Sequence, residues 1–229
     1  MKKALLFGAS GFIGSCLLQE LLNNADYDKV TIVVRKPLDI IHPKLTMLTG
    51  DLQTLPALQP VLVANDVFIA IGTTKAKTPD KDEYYRIDHD FPVLAARIAK
   101  ENGAASVAVV TAVGANAGAG VFYLRIKGEI ERDILALDLP HTLIFRPSML
   151  MGKRKEHRPL ERFLINVFRV INPLFIGRLN KYRGIEGKTI ARVMIDAAKS
   201  PSGKVKIYEW KEMIAAGVGT APALPNHKK

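Results

Sequence analysis

Cysteine is almost missing from this sequence, and long hydrophobic runs are missing altogether. Cys16 is the only cysteine, so an internal disulfide is excluded and a reducing compartment is expected. No stretch approaches the roughly 18 consecutive apolar residues that a transmembrane helix requires. The apolar run after Lys2 and Lys3 stops at Gly8, too short for the hydrophobic part of a signal peptide. We therefore expect a soluble, cytoplasmic protein without an integral membrane segment.

Metal-binding patterns and nucleic-acid-binding motifs are missing as well. The histidines are scattered, with no cysteine or carboxylate at a spacing typical of a metal site, so no metal is expected. The formal net charge of +11 favours anionic ligands of many kinds. Without a recognised motif, charge alone does not predict nucleic-acid binding, and none is expected.

What the sequence does contain is an alternation of short, β-branched apolar runs with helical stretches. At 48% hydrophobic residues, the chain can form one α/β domain, which we place at residues 1–216. Runs that are apolar throughout are buried on both faces, so helices are expected on both sides of a parallel sheet. The pattern predicts a doubly wound, Rossmann-type sheet of about seven strands. The predicted strands are residues 3–7, 30–34, 45–48, 67–71, 107–111, 142–145 and 205–208.

Helical periodicity separates these strands. The predicted helices are residues 12–23, 88–101, 122–137, 159–170 and 189–199. Residues 217–229 show no periodicity and are expected to form a flexible tail. Because ligands of doubly wound sheets lie beyond the carboxyl ends of the strands, the residues that follow each strand are the candidate site.

A glycine-rich turn follows the first predicted strand and opens the first predicted helix. Gly8 allows the sharp turn, Gly11 allows backbone N–H groups to approach a pyrophosphate, and Gly14 allows the helix to pack on the sheet. We predict a dinucleotide here, with its phosphates at the helix N-terminus; the alternative is a tight turn without a ligand. The predicted contacts of this turn are Gly8, Ser10, Gly11, Phe12, Ile13 and Gly14.

The residues after the second predicted strand indicate which dinucleotide binds. An NAD-selective site places Asp or Glu there to accept hydrogen bonds from the ribose hydroxyls. This chain has Arg35 and Lys36, two cations that suit a 2′-phosphate. NADP(H) is therefore predicted in preference to NAD(H), and a solvated surface cation is the alternative for Arg35.

The turns after the third and fourth strands supply further predicted contacts. Asp51 and Leu52 stand where adenine would lie, and Asp51 could accept from its amino group or, equally well, cap a helix. Gly72 and Thr73 belong to a turn of small residues, along which a backbone can approach the cofactor.

The candidate chemistry lies on the helix that follows the fifth strand. Tyr123 and Lys127 are four residues apart and therefore share one face. An ammonium group beside a phenol lowers the phenol pKa, so Tyr123 could exchange a proton with a substrate oxygen near neutrality. Lys127 could also bind the nicotinamide ribose. An ordinary amphipathic helix is the alternative, and the order of the motifs along the chain disfavours it.

The order of these motifs resembles that of atypical short-chain dehydrogenase/reductases, relatives of the NAD-dependent epimerase/dehydratase enzymes. It is most similar to that of the Tat-interacting-protein-like, NAD(P)-binding group. The resemblance spans about residues 2–192, and its most specific parts are Ile71-Gly72-Thr73-Thr74, Tyr123-Leu124-Arg125-Ile126-Lys127-Gly128-Glu129, Phe145-Arg146-Pro147, Arg154 and Glu156-His157-Arg158-Pro159. It implies cofactor contacts at Ser10, Arg35, Lys36, Tyr123, Lys127, Leu150 and Arg158.

This chain departs from the family pattern at the end of the fifth strand. The family usually has a serine there, which polarises the substrate carbonyl, whereas this chain has Thr111, whose β-branch restricts χ1. We predict a catalytic site of Tyr123, Lys127 and Thr111 that acts, with hydride transfer, on an unknown carbonyl or alcohol substrate. The resemblance leaves a second function open, a non-catalytic NADP(H)-binding redox sensor or regulator that acts through a protein partner.

Positive charge is concentrated in residues 153–192. The helix predicted at residues 159–170 interleaves arginines with apolar residues. Three interpretations remain, in order of preference: a core-packed helix with a solvated cationic face, a substrate lid at about residues 150–185, and a helix that binds a membrane surface or a partner. A monomer or a homodimer is expected.

Overall fold

The computed structural model describes residues 1–151 and 183–218 of the chain. Its strands are β1 (Lys2–Phe7), β2 (Tyr27–Val34), β3 (Leu45–Thr49), β4 (Asp66–Ile69), β5 (Ser106–Val110), β6 (His141–Phe145), β7 (Leu150–Met151), β8 (Ile185–Glu186) and β9 (Val205–Tyr208). Its helices are α1 (Phe12–Asn23), α2 (Leu55–Leu58), α3 (Lys81–Tyr85), α4 (Phe91–Glu101), α5 (Phe122–Ala136), α6 (Gly187–Lys199) and α7 (Trp210–Val218).

Seven of these strands form one parallel sheet in the order β3-β2-β1-β4-β5-β6-β9. The order reverses between β1 and β4, and this switch point is where doubly wound sheets bind their ligands. The predicted Rossmann-type sheet is confirmed. The strands β7 and β8 pair separately, through Leu150 with Ile185 and Met151 with Glu186.

Helices cover both faces of the sheet because the central strands are predominantly apolar and buried. In β1, Ala4 and Leu6 belong to a buried cluster with residues of α1, α6 and α7. Leu5 and Phe7 belong to a second cluster, with residues of α2, α4 and α5. Alternating side chains along a strand thus contribute to two separate cores, one on each face of the sheet.

The segment before α4 differs from the prediction. A single helix was expected at residues 88–101, but α4 begins at Phe91 and is preceded by α3 and by a π turn at Arg86–Asp90. The π turn buries two consecutive polar side chains, Asp88 and His89. Apolar periodicity gives no signal for buried polar residues, and π turns of this kind are frequent at functional sites.

Several predictions fall outside the described residues. They concern the helix at residues 159–170, the part of the proposed lid at residues 152–182, Arg158, and the tail from residue 219 onward. The helix α7 includes Gly217 and Val218, the first two residues of the predicted tail.

Candidate functional site

The turn between β1 and α1 is packed so tightly that two of its glycines leave no space for a side chain. Gly8 has φ of +87°, and a Cβ atom there would lie 2.4 Å from the carbonyl oxygen of Ala70. A Cβ atom on Gly14 would lie 1.9 Å from the carbonyl oxygen of Gly8. Ser10 and Gly11 are exposed. Gly11 is the N-cap residue of α1, and because it has no side chain, no side-chain hydrogen bond caps the helix. The amides that begin this helix therefore lie at an exposed glycine turn, which fits a bound pyrophosphate.

The ends of β2 and β3 lie on the same side of the switch point. Arg35 and Lys36 directly follow β2 and are exposed. After β3, Oδ1 of Asp51 accepts hydrogen bonds from the N–H groups of Gln53 and Thr54 at 3.0 and 2.9 Å. The bonds from Thr54 hold the pKa of Asp51 below its ordinary value. These contacts form a turn before α2, whose N-cap residue is Thr54 and not Asp51. The adenine contact of Asp51 stays a prediction.

Leu52 is half-buried and lines a groove of about 520 Å³ beside α4 and α5. Other residues of the groove are His89, Arg97 and Leu137. Leu150, a predicted cofactor contact, is half-buried in β7.

A buried ion pair lies at the centre of the candidate site. Nζ of Lys127, on α5, lies 2.6 Å from Oδ1 of Asp88, in the π turn. The second oxygen, Oδ2, accepts a hydrogen bond from the N–H group of Thr73 at 2.7 Å. A Cβ atom on Gly72 would lie 3.5 Å from Asp88 Oδ1 and 3.9 Å from Lys127 Nζ. One carboxylate thus joins α5 to the turn after β4, and it brings Gly72, Thr73 and Lys127 together.

Sequence reasoning missed Asp88, although a signal for it existed. A lysine on the buried face of a helix requires a counter-charge, because an unpaired buried ammonium group is costly. Asp88 lies in the segment after β4, which a parallel sheet places beside the helix that follows β5. The prediction treated it as an ordinary helix residue.

Tyr123 lies one helical turn before Lys127 and is 41% exposed. The Lys127 Nζ atom lies 5.9 Å from the centre of the Tyr123 ring. Partial burial raises the pKa of Tyr123 to about 12, and the negative charge of Asp88 contributes to the increase. The prediction that Lys127 lowers this pKa is wrong for the arrangement described here, because the charge of Lys127 is paired with Asp88.

Thr111 directly follows β5, as predicted, but its hydroxyl does not point toward the predicted catalytic residues. Its hydroxyl is buried and donates to Oε1 of Glu131 at 2.6 Å. Glu131 also accepts from Nε of Arg146 at 2.9 Å, in a network that joins α5 to the ends of β5 and β6. Glu131 lies two turns beyond Tyr123, about 12 Å along the helix axis. The hydroxyl of Thr111 is therefore directed to a structural network and not toward Tyr123.

The glycine after Lys127 explains how α5 is positioned. A Cβ atom on Gly128 would lie 2.1 Å from the backbone nitrogen of Ala117, so the preceding loop crosses the helix at this residue. The Asn116 N–H group donates to the carbonyl oxygen of Leu124 at 3.1 Å. The loop is thus folded back on the first turns of α5, where Tyr123 lies.

A group of hydroxyls lines the turn after β4. The Oγ1 atoms of Thr73 and Thr78 lie 2.8 Å apart, and the Tyr84 hydroxyl donates to the Thr73 carbonyl oxygen at 3.4 Å. The Tyr84 ring packs on that of Phe122, with 5.7 Å between centroids. Neither Thr78 nor Tyr84 was predicted as a site residue, because no known short pattern contains them.

These features are those of a dinucleotide-binding site at a switch point, and comparison with known families agrees. Residues 8–163 match a family model described as NAD(P)H-binding. This chain belongs to that NAD(P)H-binding family. The match includes the glycine turn, the ion pair of Asp88 with Lys127, and Tyr123.

Curated relatives extend over most of the chain. It is 31% identical to Protein FMP52, mitochondrial, of Candida glabrata, over 88% of this chain and 87% of that protein. It is 28% identical to Protein HTATIP2 of Rattus norvegicus, over 94% of this chain and 89% of that protein. The resemblance to the Tat-interacting-protein-like group of atypical short-chain dehydrogenase/reductases is therefore confirmed.

Solved structures show the same fold at lower identity. The Bordetella bronchiseptica enzyme WbmH in complex with NAD⁺ has a TM-score of 0.70 and 18% identity, over 91% of this chain and 75% of that one. UDP-N-acetylglucosamine 4-epimerase from Methanobrevibacter ruminantium has a TM-score of 0.66 and 20% identity, over 91% and 76% of the two chains. At such identities the likeness shows the fold alone.

The predicted cytoplasmic location is contradicted. The FMP52 relatives from Candida glabrata, Eremothecium gossypii and Saccharomyces cerevisiae are named as mitochondrial proteins. The prediction failed because scarce cysteine separates reducing from oxidising compartments and does not distinguish the cytosol from an organelle. Among the described helices, none combines the length and the apolar character needed to cross a bilayer.

Proposed function

We propose that this NAD(P)H-binding protein is an NADP(H)-dependent oxidoreductase that acts on a carbonyl or alcohol group of a small molecule. The observation that carries this proposal is the buried pair of Lys127 and Asp88, which lies against Gly72 with Tyr123 one helical turn away. A lysine ammonium is costly to bury, so its fixed position beside an exposed phenol indicates a chemical role.

Tyr123 is the proposed proton donor and acceptor. With a pKa of about 12 it is protonated at neutral pH, as a donor to a carbonyl oxygen must be. When bound, NADPH would supply a hydride to the carbonyl carbon, and Tyr123 would supply the proton to the oxygen, which yields the alcohol. In oxidation, the Tyr123 phenolate would accept the alcohol proton, and bound NADP⁺ would accept the hydride. Lys127, held by Asp88, is proposed to bind the nicotinamide ribose.

The preference for NADP(H) over NAD(H) is supported by Arg35 and Lys36. Both side chains are exposed at the end of β2, and the sequence offers no carboxylate at these two positions for the ribose hydroxyls. A guanidinium group donates two parallel hydrogen bonds to a phosphate, whereas the 2′-hydroxyl of NAD(H) offers a single oxygen and no charge.

The proposal is tested by measuring the oxidation of NADPH with a panel of aldehydes, ketones, keto acids and quinones. We expect turnover with at least one member, faster with NADPH than with NADH, and strongly reduced in a Tyr123→Phe variant that still binds NADPH. Tight binding of NADPH without turnover on any member would contradict the proposal.

One observation favours a second function, that of a redox sensor that binds NADP(H) and a protein partner without turnover. The hydroxyl of Thr111 donates to Glu131, so it is not available to polarise a substrate carbonyl at the end of β5. A sensor would keep its partner interaction in the Tyr123→Phe variant, and NADPH and NADP⁺ would affect that interaction differently. An oxidoreductase would lose its turnover in the same variant.

A further inference from the structure

The end of β5 carries no hydroxyl that can assist Tyr123. Thr111 donates to Glu131, and the residues that follow it, from Ala112 to Ala115, have no hydroxyl. A carbonyl oxygen that gains negative charge during reduction is stabilised by a second preorganised donor, in addition to the proton donor. Such a donor must therefore come from another element.

The opposite wall of the site offers one. Thr73, in the turn after β4, is half-buried, and its N–H group is fixed by the same Asp88 carboxylate that binds Lys127. Tyr84 connects the two walls, because its hydroxyl donates to the Thr73 carbonyl oxygen and its ring packs on that of Phe122, the first residue of α5. Thr73 is thus held in a fixed relation to both predicted catalytic side chains of α5.

The direction of the hydrogen bond between Thr73 and Thr78 follows from burial. Thr78 is 5% exposed, and the Thr73 hydroxyl is the sole side-chain partner of its hydroxyl among the described residues. If Thr73 donated to Thr78, the Thr78 proton would be buried without an acceptor, at a cost of about 1–3 kcal/mol. Thr78 therefore donates to Thr73, and the proton of the half-buried Thr73 hydroxyl remains available to a ligand.

We propose that Thr73, oriented by Thr78, donates a hydrogen bond to the substrate oxygen beside Tyr123. This assignment rests on the proposed oxidoreductase function. It gives the turn after β4 the role that the family pattern assigns to the end of β5, and it leaves Thr111 with a structural role. No covalent bond to Thr73 forms, and the proton that is transferred remains that of Tyr123.

The test compares Thr73→Val, which removes the hydroxyl at nearly constant shape, with Thr73→Ser, which restores it. Activity is measured with NADPH and phenanthrenequinone, or the panel member reduced fastest, and NADPH affinity by its fluorescence. We expect Thr73→Val to lower kcat by about 10²-fold, as for the loss of one oxyanion donor, with unchanged NADPH affinity. Thr73→Ser should stay within a few-fold of the unmodified protein.

Two further variants guard against loss of folding. Thr73→Val alone leaves the Thr78 proton without its acceptor, whereas the Thr73→Val/Thr78→Val double variant removes both polar groups and should fold while keeping the low kcat. Thr111→Val should keep a kcat within about threefold of the unmodified protein, because its hydroxyl is engaged elsewhere.

The outcomes separate the alternatives. A Thr73→Val variant with full kcat overturns the assignment, and so does one that loses NADPH affinity tenfold at unchanged kcat, which would make Thr73 a cofactor ligand. A Thr111→Val variant that folds and loses about 10²-fold in kcat would return the role to β5. If the unmodified protein binds NADPH and reduces no compound, the proposed function itself fails, and the assignment of Thr73 fails with it.

Discussion

Lys127 and Asp88 form an ion pair whose side chains are only 5% and 1% exposed, with 2.6 Å between nitrogen and oxygen. Taking both charges out of water costs several kcal/mol, so such a pair contributes little net stability compared with apolar side chains of similar volume. Here it holds a lysine beside the backbone of Gly72 and, through the second oxygen of Asp88, fixes Thr73. The pair therefore organises the site from two elements that are distant in sequence.

Removing one partner of this pair should be more harmful than removing both. Asp88→Asn leaves a buried ammonium group without a counter-charge, and we expect a loss of about 3–5 kcal/mol in the free energy of unfolding. The double variant Asp88→Leu/Lys127→Met should recover most of that stability, and urea unfolding measures all three. The control is Asp26→Asn, which breaks an exposed pair with Lys199 and should cost less than about 1 kcal/mol. A double variant no more stable than Asp88→Asn would contradict this account.

The phenol of Tyr123 should be needed for chemistry and not for binding. Tyr123→Phe removes the proposed proton donor, so kcat should fall by about 10²–10⁴-fold. The affinity for NADPH, from fluorescence titration, should change less than twofold, since the ring is kept. Tyr85→Phe is the matched control, because the Tyr85 ring stacks on His89 at 4.5 Å and takes no part in the proposed site. Equal losses in the two variants would argue against a specific role for Tyr123.

The raised pKa of Tyr123 predicts its ionisation directly. Burial and the charge of Asp88 disfavour the phenolate, so the proton is retained until the pH approaches about 12. At about pH 11 only about a tenth of Tyr123 should be ionised, against about nine-tenths for an ordinary tyrosine. The measurement is the difference in tyrosinate absorbance between the unmodified protein and Tyr123→Phe. Substantial ionisation of this residue below about pH 10 would mean that Lys127 acts on it despite Asp88.

Most of the fold was predictable from the sequence because both signals that define it are local. The strands are predominantly apolar and the glycine turn directly follows the first of them, so the sheet and α1 were placed within a few residues. The strands β7 and β8 have two residues each, too few for a pattern. The π turn was missed because its buried polar residues are stabilised by partners distant in sequence.

The candidate site was predictable only in part, for a related reason. Tyr123 and Lys127 share a helix, so their spacing shows that they share a face. Asp88 pairs with Lys127, and Glu131 accepts a hydrogen bond from Thr111. These contacts join different elements, and they determine which roles Lys127 and Thr111 can have. Sequence spacing indicates which side chains lie on one face of a helix, but it does not indicate which charged group they meet across the core.

Arg35 should distinguish the two dinucleotides. Arg35→Ala removes the guanidinium group proposed to bind the 2′-phosphate, and we expect NADPH to bind about 10-fold to 100-fold more weakly while NADH affinity changes little. The NADPH affinity of the unmodified protein should also fall with rising salt concentration more steeply than that of the variant. Lys206→Ala, an exposed cation in β9 at the opposite end of the sheet, is the control. Equal weakening of both dinucleotides would disprove the phosphate assignment.

Thr111 should contribute to stability and not to turnover. Thr111→Val removes a buried hydrogen bond to a carboxylate, and such bonds contribute about 1.5–3 kcal/mol. Unfolding in urea should reveal that loss, while kcat per folded molecule stays unchanged. Thr46→Val is the matched control, because Thr46 is half-buried in the edge strand β3 and its hydroxyl makes no side-chain hydrogen bond among the described residues. Glu131 keeps its ion pair with Arg146 in the Thr111 variant, so the fold should survive the change.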